Sequence, residues 1–189
     1  MNTDLFEGER VRLKAVDPER AEWFARCFRD SEFARMMSTN LATPLSLQQA
    51  KDDLSEAPKP HWFPFFFHAC TDDRLLGMVD LDVIWNHRNA WVGIGLGQRE
   101  DWGQGYGTDA MRLIVRYGFL ELNLRRVTLS VFGYNPRAIR SYENVGFVLE
   151  GRQRQRIARD GAWHDVLFMG ILKEEWERQN DQIPRAKSQ

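Results

Sequence analysis

Six of the fourteen glycines in the chain lie between Gly93 and Gly107, and this spacing predicts close approach by a ligand or by another backbone. The first three alternate along an expected strand, so one face of that strand carries no side chains. The last three stand directly before an expected helix, where glycines let successive backbone N–H groups point at one place. Such an array at a helix N-terminus binds phosphate, and the alternative is a tight structural turn without a ligand.

Two common phosphate-binding motifs do not fit this segment. A P-loop needs Lys and then Ser or Thr after its last glycine, whereas Gly107 is followed directly by Thr108. A dinucleotide fingerprint needs GxGxxG, whereas the spacing from Gly103 to Gly107 is GxGxG. A Rossmann unit also normally starts its fold, and this segment lies past the middle of the chain.

Two carboxylates have a spacing suited to amine chemistry. Asp80 and Asp82 lie two residues apart in an expected strand, so both point to one face. There they could bind a cationic amine or take its proton, and a solvated strand face explains them equally well. Glu143 is a further, weaker candidate.

No pattern points to a metal site or to a covalent nucleophile. The four histidines lack ligand-like spacing, and Cys27 and Cys70 are far apart with no CxxC motif. We therefore expect no metal and two reduced, buried thiols. His164 and Asp165 with Ser141 suggest a hydrolase triad, but no GxSxG elbow accompanies them.

The elements that position these residues change character along the chain. Expected helices occupy much of residues 17–57, including one that opens with a capping box at Ser46. Strands follow one another up to Gly97, and the glycine loop leads into a helix from Thr108 to about Leu122. Later strands, at 126–132, 147–150 and 166–172, alternate with a helix at 136–144. This order predicts a mixed α/β sheet.

The length of 189 residues fits one domain, which we place at 1–175 with a C-terminal tail at 176–189. Hydrophobic residues make up 43% and charged residues 28%, which excludes a disordered or fibrous protein. The net charge of −1 argues against a partner such as nucleic acid. No stretch approaches the about 20 apolar residues of a membrane span, and the N-terminus lacks a secretion signal. We expect a cytoplasmic protein without a membrane partner.

The loop from Trp102 to Gly107, the helix after it and the segment from Asn135 through Tyr142 to Phe147 resemble the GNAT superfamily of acyl-CoA-dependent N-acetyltransferases. The similarity covers nearly the whole chain and looks closest to the branch that includes the ribosomal-protein N-terminal acetyltransferases. It implies a single-domain GNAT-like α/β fold with a central mixed, mostly antiparallel twisted sheet flanked by helices. A splayed strand pair is expected at the cofactor site, and homodimers are common in this branch.

The resemblance implies acetyl-CoA as acyl donor. Backbone N–H groups of the loop would hold the pyrophosphate, and the edge of the glycine-bearing strand would hydrogen-bond the pantetheine arm. The residues implied at the cofactor are Leu96, Gly97, Gln98, Gly103, Gln104, Gly105, Tyr106, Gly107, Thr108 and Asn135. Tyr142 matches a tyrosine that often protonates the departing thiolate, and its alternative is a packed core tyrosine.

The sequence departs from the family pattern at two tryptophans. Trp102 stands where many members begin the loop with Gln or Arg. Trp91 stands where many members carry a glutamate that serves as base or water anchor, which leaves the base open and makes Asp80 our candidate. Six arginines between Arg137 and Arg159 could grip the 3′-phosphate of CoA, or form a solvated hairpin face.

The expected reaction is direct attack of a primary amine on the acetyl thioester. An amine with a pKa near about 10 is mostly protonated at pH 7, so a base must take its proton. The acceptor would be a protein N-terminus or a small amine such as a polyamine or an aminoglycoside. The alternative is a non-catalytic acyl-CoA-binding sensor or structural module.

Overall fold

The computed structural model describes residues 4–56 and 59–181. The strands in this part of the chain are β1 (Val11–Ala15), β2 (Trp62–Ala69), β3 (Leu75–Ile84), β4 (Asn89–Leu96), β5 (Arg126–Phe132), β6 (Val148–Arg159) and β7 (Ala162–Leu172). The α-helices are α1 (Ala21–Cys27), α2 (Ser31–Met37), α3 (Leu47–Leu54), α4 (Tyr106–Leu120), α5 (Pro136–Val145) and α6 (Lys173–Asp181). Single 3-10 turns precede α1, follow β3 and follow β4.

The strands form one seven-stranded sheet in the order β1-β2-β3-β4-β5-β7-β6. Neighbouring strands run antiparallel except β4 and β5, which are parallel. The mixed, mostly antiparallel sheet with flanking helices that the sequence predicts is therefore confirmed.

The central parallel pair is joined at one end and open at the other. β4 and β5 pair at Asn89 with Arg126, Ala90 with Val127 and Trp91 with Thr128. Both strands continue well beyond this register, β4 to Leu96 and β5 to Phe132. The expected splayed strand pair is present, and a wedge-shaped opening separates the second halves of the two strands.

The sheet separates two groups of helices. On β3, Val79, Leu81 and Val83 are buried on the side of α4, which supplies the centre of the main core. Asp80 and Asp82 alternate with them and therefore face the side of α1 and α2. We call these two sides the α4 face and the α2 face.

The start of α4 and the lengths of β6 and β7 differ from their predicted bounds because of local backbone geometry. α4 begins at Tyr106, two residues before the expected Thr108, because Gly105 caps the helix in the left-handed region with φ of 85°. β6 and β7 form a hairpin much longer than predicted. Their pairing register shifts twice, so the sequence lacks the strict alternation by which strands are predicted.

The second described segment ends with helix α6, which extends to Asp181. The predicted domain end at 175 falls within α6, whose Trp176 packs against Phe119 of α4 with ring centroids 5.6 Å apart. Residues 182–189 of the predicted tail lie outside the described residues, as does Pro58, one of the prolines after α3. None of the described helices has both the length and the apolar character needed to cross a membrane.

Candidate active site

The glycine loop, residues 102–107, opens helix α4 beside the splayed strands. Gly103 and Gly105 both have positive φ values, 78° and 85°, which glycine adopts without strain. A methyl group placed on Gly103 or on Gly107 would meet no atom within 4 Å. The N-terminal backbone of α4 therefore borders open space, and a helix N-terminus of this kind attracts anions. Tyr106, Gly107 and Thr108 lie in the first turn of the helix.

Trp102 joins the loop to the edge of β4. Its indole N–H donates to the carbonyl oxygen of Leu96 at 2.8 Å. The guanidinium of Arg137, from the first turn of α5, lies 4.0 Å from the indole centroid, and that of Arg99 lies at 5.7 Å. The tryptophan that departs from the family pattern thus holds the loop to the strand and to α5.

A buried carboxylate fixes the first turn of α4 against the start of β1. Asp109 is 5% exposed, and its Oδ2 accepts the backbone N–H groups of Arg10 at 2.8 Å and Val11 at 3.0 Å. A buried charge needs such partners to be tolerated. Sequence reasoning missed Asp109, although an acidic residue in the first turn of a helix is a recognisable signal.

α5 closes the other side of the loop. The Asn135 side-chain oxygen caps this helix by accepting the Ala138 N–H at 3.1 Å, so that oxygen is engaged and the amide nitrogen is the part suited to a ligand. Thr108 Oγ1 and Ser141 Oγ lie 2.7 Å apart and link α4 to α5. The predicted Thr108 and Asn135 are therefore brought to the same end of the sheet as the glycine loop.

Tyr142 lies on α5 and packs against the main core. Its ring contacts Phe147, with centroids 6.2 Å apart. Burial raises the pKa of its hydroxyl to about 12, so the phenol keeps its proton at neutral pH. A neutral buried phenol can donate a proton or a hydrogen bond.

The bare face of β4 is covered by the chain's own side chains at two of its three glycines. A methyl group on Gly95 would lie 2.7 Å from Met37 Sδ, and one on Gly97 would lie 2.6 Å from Cys27 Sγ. At these positions the close approach that the sequence predicts comes from α1 and α2, and neither a ligand nor another backbone fills the space.

At Gly93, the third glycine, the bare face receives a carboxylate. A methyl group there would lie 2.8 Å from Asp80 Oδ1, so the carboxylate of Asp80 lies over β4. Gly93 is two residues beyond Trp91, the last residue of β4 that pairs with β5. The missing side chain of Gly93 is what allows Asp80 to reach the point where the strands separate.

Burial and one hydrogen bond have opposite effects on the pKa of Asp80. Its surroundings raise the pKa to about 6, chiefly through burial and secondarily through the nearby Asp82. The Trp62 indole N–H donates to Oδ2 at 3.2 Å and partly offsets this effect. A carboxylate with a pKa near neutrality is suited to take a proton at physiological pH.

The residues after Gly95 lie at the open edge of β4. The Gly97 N–H donates to Leu76 O on β3 at 2.9 Å, so by antiparallel alternation the backbone groups of Leu96 point to the opening. The Leu96 carbonyl is taken by Trp102, which leaves its N–H as the group suited to a ligand. The Gln98 side chain instead points to α1, with Nε2 4.0 Å from Cys27 Sγ.

The β6–β7 hairpin and the end of α2 wall the α2 face. A small apolar cluster joins Met36 of α2 to Phe132, Ile157, Val166 and Phe168. At the hairpin tip, Arg159 Nη2 donates to three consecutive carbonyls, the shortest bond being 2.8 Å to Asn40 O. The bonds of Arg159 join residues 119 to 121 positions apart, which no local pattern predicts.

The structure thus brings two predicted groups to one opening from opposite sides of the sheet. The glycine loop, Thr108 and Asn135 lie toward the α4 face, and Tyr142 packs against the core on that face. Asp80 lies on the α2 face beside Asp82 and Trp91, and the predicted Gln98 points its side chain to the same face. Among the residues that the structure describes, no group of three or more His, Cys, Asp or Glu side chains could hold a metal ion.

Comparisons with known proteins agree with this arrangement. The chain is 33% identical over 104 residues to the spermidine N(1)-acetyltransferase of Vibrio cholerae, a match covering 54% of this chain and 60% of that protein. It is 29% identical over 178 residues to the uncharacterized N-acetyltransferase YokL of Bacillus subtilis, covering 94% of this chain and 98% of that protein.

A solved structure shares the fold. The spermidine N-acetyltransferase from Vibrio cholerae in complex with CoA and spermine superimposes with a TM-score of 0.79 at 22% identity, covering 88% of this chain and 98% of that chain. The sequence profile of the acetyltransferase (GNAT) domain matches residues 10–148. With the splayed strands and the glycine loop in place, the chain belongs to the GNAT acetyltransferase family, and its enzyme class is that of an N-acetyltransferase.

Proposed function

We propose that this enzyme transfers an acetyl group from acetyl-CoA to a small cationic primary amine, with Asp80 as general base and Tyr142 as general acid. The observation that carries the proposal is the Asp80 carboxylate over Gly93, beside the point where β4 and β5 separate. It supplies a base where the family pattern has a glutamate and this chain has Trp91.

The residues at the glycine loop fit CoA. Gly103 and Gly107 border open space that a side chain would fill, at the N-terminus of a 15-residue helix. The loop and the first turn of α4 would hold the pyrophosphate, Asn135 would contact the pantetheine arm, and the Leu96 N–H would meet the acetyl carbonyl at the end of that arm. When bound, acetyl-CoA supplies the activated acetyl thioester.

Asp80 would take the proton that the acceptor ammonium must lose. The neutral amine then attacks the acetyl carbonyl carbon, the N–C bond forms and the C–S bond breaks. The backbone N–H of Leu96 points to the opening and would stabilise the carbonyl oxygen as it gains charge. Tyr142 would give its proton to sulfur. The nitrogen, which carries a second proton after the attack, would release it to solvent, from which Tyr142 regains one. Asp80 releases the first amine proton to water, so the products are the amide, the thiol and one proton.

The electrostatics of the α2 face favour an acceptor with more than one positive charge. Asp80 and Asp82 are separated by about 7 Å along one strand, and Trp91, 41% exposed, lies opposite Asp82. Carboxylates and an exposed indole both attract ammonium groups. A polyamine fits this surface better than a peptide with a single N-terminal ammonium, and the relative named for spermidine supports this choice.

The test measures binding and turnover separately. Thermal unfolding is followed with acetyl-CoA, NAD and ATP, where ligand at about 100 times its dissociation constant adds about 2.7 kcal/mol to stability. We expect a shift with acetyl-CoA alone. Thiol release is then measured with spermidine, an aminoglycoside and a short peptide of free N-terminus, and we expect turnover with spermidine to be fastest.

Each negative result has its own meaning. If acetyl-CoA gives no shift, the donor assignment fails. If acetyl-CoA binds and none of the acceptors is acetylated, a non-catalytic acyl-CoA-binding module gains support. If the peptide is preferred, the acceptor assignment fails and a protein N-terminus replaces it. The expected cytoplasmic location and homodimer stay predictions.

A further inference from the structure

Arg10 lies beside the glycine loop although it is far from it in sequence. A methyl group placed on Gly105, the N-cap of α4, would lie 3.3 Å from Arg10 Nε and 3.4 Å from Arg10 Cδ. The guanidinium is therefore beside the first turn of α4. Arg10 is exposed, so the group is accessible to a ligand in solution.

The backbone of Arg10 is fixed on both sides of its Cα atom. Its N–H donates to Asp109 Oδ2 at 2.8 Å, and its carbonyl accepts the Cys70 N–H at 2.8 Å. Asp109 belongs to the same first turn of α4 that follows the loop. The buried Asp109 carboxylate thus fixes the backbone of Arg10 next to the N-terminus of α4.

The guanidinium of Arg10 has no anionic partner in the described part of the chain. Within residues 4–56 and 59–181, Arg10 forms no ion pair with a carboxylate, whereas Arg12, two residues later, pairs with Glu7 at 3.8 Å. A guanidinium offers several N–H donors in a planar arrangement that matches phosphate oxygens. The nearest feature that attracts an anion is the helix N-terminus that it adjoins.

We propose that Arg10 is a ligand of the CoA pyrophosphate, positioned by Asp109, and that it completes the anion site formed by the glycine loop. This inference rests on the proposed use of acetyl-CoA. The pyrophosphate is chosen over the 3′-phosphate because Arg10 adjoins Gly105 at the cap of α4, where the backbone N–H groups converge. Arg137 instead lies over Trp102, the first residue of the loop.

The test compares three ligands, one with all the phosphates of CoA, one with the pyrophosphate alone and one without any phosphate. Binding of CoA, 3′-dephospho-CoA and acetyl-pantetheine is measured by calorimetry in the wild type and in Arg10→Gln. We expect Arg10→Gln to weaken CoA and 3′-dephospho-CoA equally, by about 10- to 100-fold, since a hydrogen bond to a charged group has this value. Affinity for acetyl-pantetheine, which carries no phosphate, should stay within about twofold.

Matched variants separate a phosphate contact from a change of fold. Arg20→Gln, an exposed arginine paired with Asp17 in the turn before α1, should leave all three affinities unchanged. Arg10→Lys keeps the charge without the planar donors and should fall between wild type and Arg10→Gln. Circular dichroism and thermal unfolding without ligand should be the same for all variants.

Four results would overturn the inference. Unchanged CoA affinity in Arg10→Gln would show that the arginine only covers Gly105. An equal loss for acetyl-pantetheine would show a structural role, and a loss that disappears with 3′-dephospho-CoA would move the contact to the 3′-phosphate. If Arg10→Lys, which keeps the charge, bound CoA more weakly than Arg10→Gln, contact with a phosphate would not explain the losses. Wild-type protein that binds none of the three would instead defeat the proposed function.

Discussion

The two sides of the splayed strands are built in different ways. On the α4 face, the loop 102–107 and the first turn of α4 present backbone N–H groups, and glycines create the space in front of them. On the α2 face, the opening is lined by side chains from β3, β4, β7 and α2, including Asp80, Trp91 and Phe168. The centre of the first side is a local run of backbone, whereas the second side is assembled from the side chains of distant segments.

This difference fits the two ligands that we propose. A donor that all members of a family share can be held by backbone groups, which do not depend on side-chain identity. An acceptor that differs between members needs particular charges and shapes, which only side chains supply. Variants on the two faces should therefore separate donor binding from acceptor chemistry.

The largest effect is expected from removing the proposed base. Asp80→Asn should lower kcat/KM for the amine by about 10²- to 10⁴-fold, the usual contribution of a general base, with acetyl-CoA affinity unchanged. The pKa of about 6 predicts that wild-type activity rises with pH through this value, because only the ionised carboxylate takes a proton. Steady-state kinetics between pH 5 and 8 test both points.

Asp82→Asn is the matched control for Asp80. It removes a charge on the same face, so acceptor KM should rise while turnover at saturation is retained. If both variants lowered turnover equally, Asp80 would act by electrostatic attraction alone and the base would lie elsewhere.

The next largest effect, on acetyl-CoA binding, is expected from a substitution in the glycine loop on the α4 face. Gly105→Val should weaken acetyl-CoA binding by about 100-fold or more, because a branched residue is strained at a φ of 85° and distorts the helix cap. Calorimetric titration with CoA measures the loss.

Gly107→Ala isolates the space in front of the loop from backbone strain. Gly107 lies in the helix and its added methyl group would meet no atom within 4 Å, so this variant should gain up to about 1 kcal/mol of stability. We nevertheless expect weaker CoA binding. Greater stability with unchanged affinity would show that the ligand does not lie over Gly107.

The sequence predicts the local features of the site, but it does not predict the contacts between distant segments. The glycine loop, the helix after it and the cap at Asn135 are local patterns, and the structure places them at one opening. The position of Asp80 over Gly93 depends on the β3–β4 register, and the fixing of Arg10 by Asp109 joins residues 99 positions apart. Contacts of this kind are set by tertiary packing, which no single-sequence pattern encodes.

A stability effect should follow from the same burial that raises the pKa of Asp80. The folded-state pKa of about 6 lies above the unfolded value of 3.8, so the folded protein binds this proton more tightly. The resulting stability is full below about pH 4 and is lost as pH rises through 6. Asp80→Asn should therefore be more stable than wild type at pH 7.5, by at most about 3 kcal/mol, and equally stable near pH 4.

Urea unfolding at four pH values between 4 and 7.5 measures this difference. Glu22→Gln, which removes an exposed carboxylate on α1, serves as the control for the loss of an acidic side chain. A stability difference for Asp80→Asn that does not change with pH would contradict the raised pKa.

A smaller effect on chemistry is expected from Tyr142. Tyr142→Phe should lower turnover less than Asp80→Asn does and leave CoA affinity nearly intact, because only the late proton transfer to sulfur is lost. Tyr117→Phe is a suitable control, since Tyr117 is a tyrosine of α4 that packs against Phe63 and Phe65. Equal turnover in the wild type and Tyr142→Phe would reduce Tyr142 to a packing residue.

The smallest effect should come from the wall of the α2 face. Arg159→Ala removes the donors that hold the carbonyls of residues 38–40, so the chain after α2 should separate from the hairpin tip. We expect acceptor KM to rise about three- to fivefold while acetyl-CoA KM and kcat stay unchanged. Arg154→Ala, an exposed arginine on the same strand, should change none of these values. A rise in acetyl-CoA KM instead would mean that the hairpin supports the donor side, and the division between a backbone-built and a side-chain-built face would no longer hold.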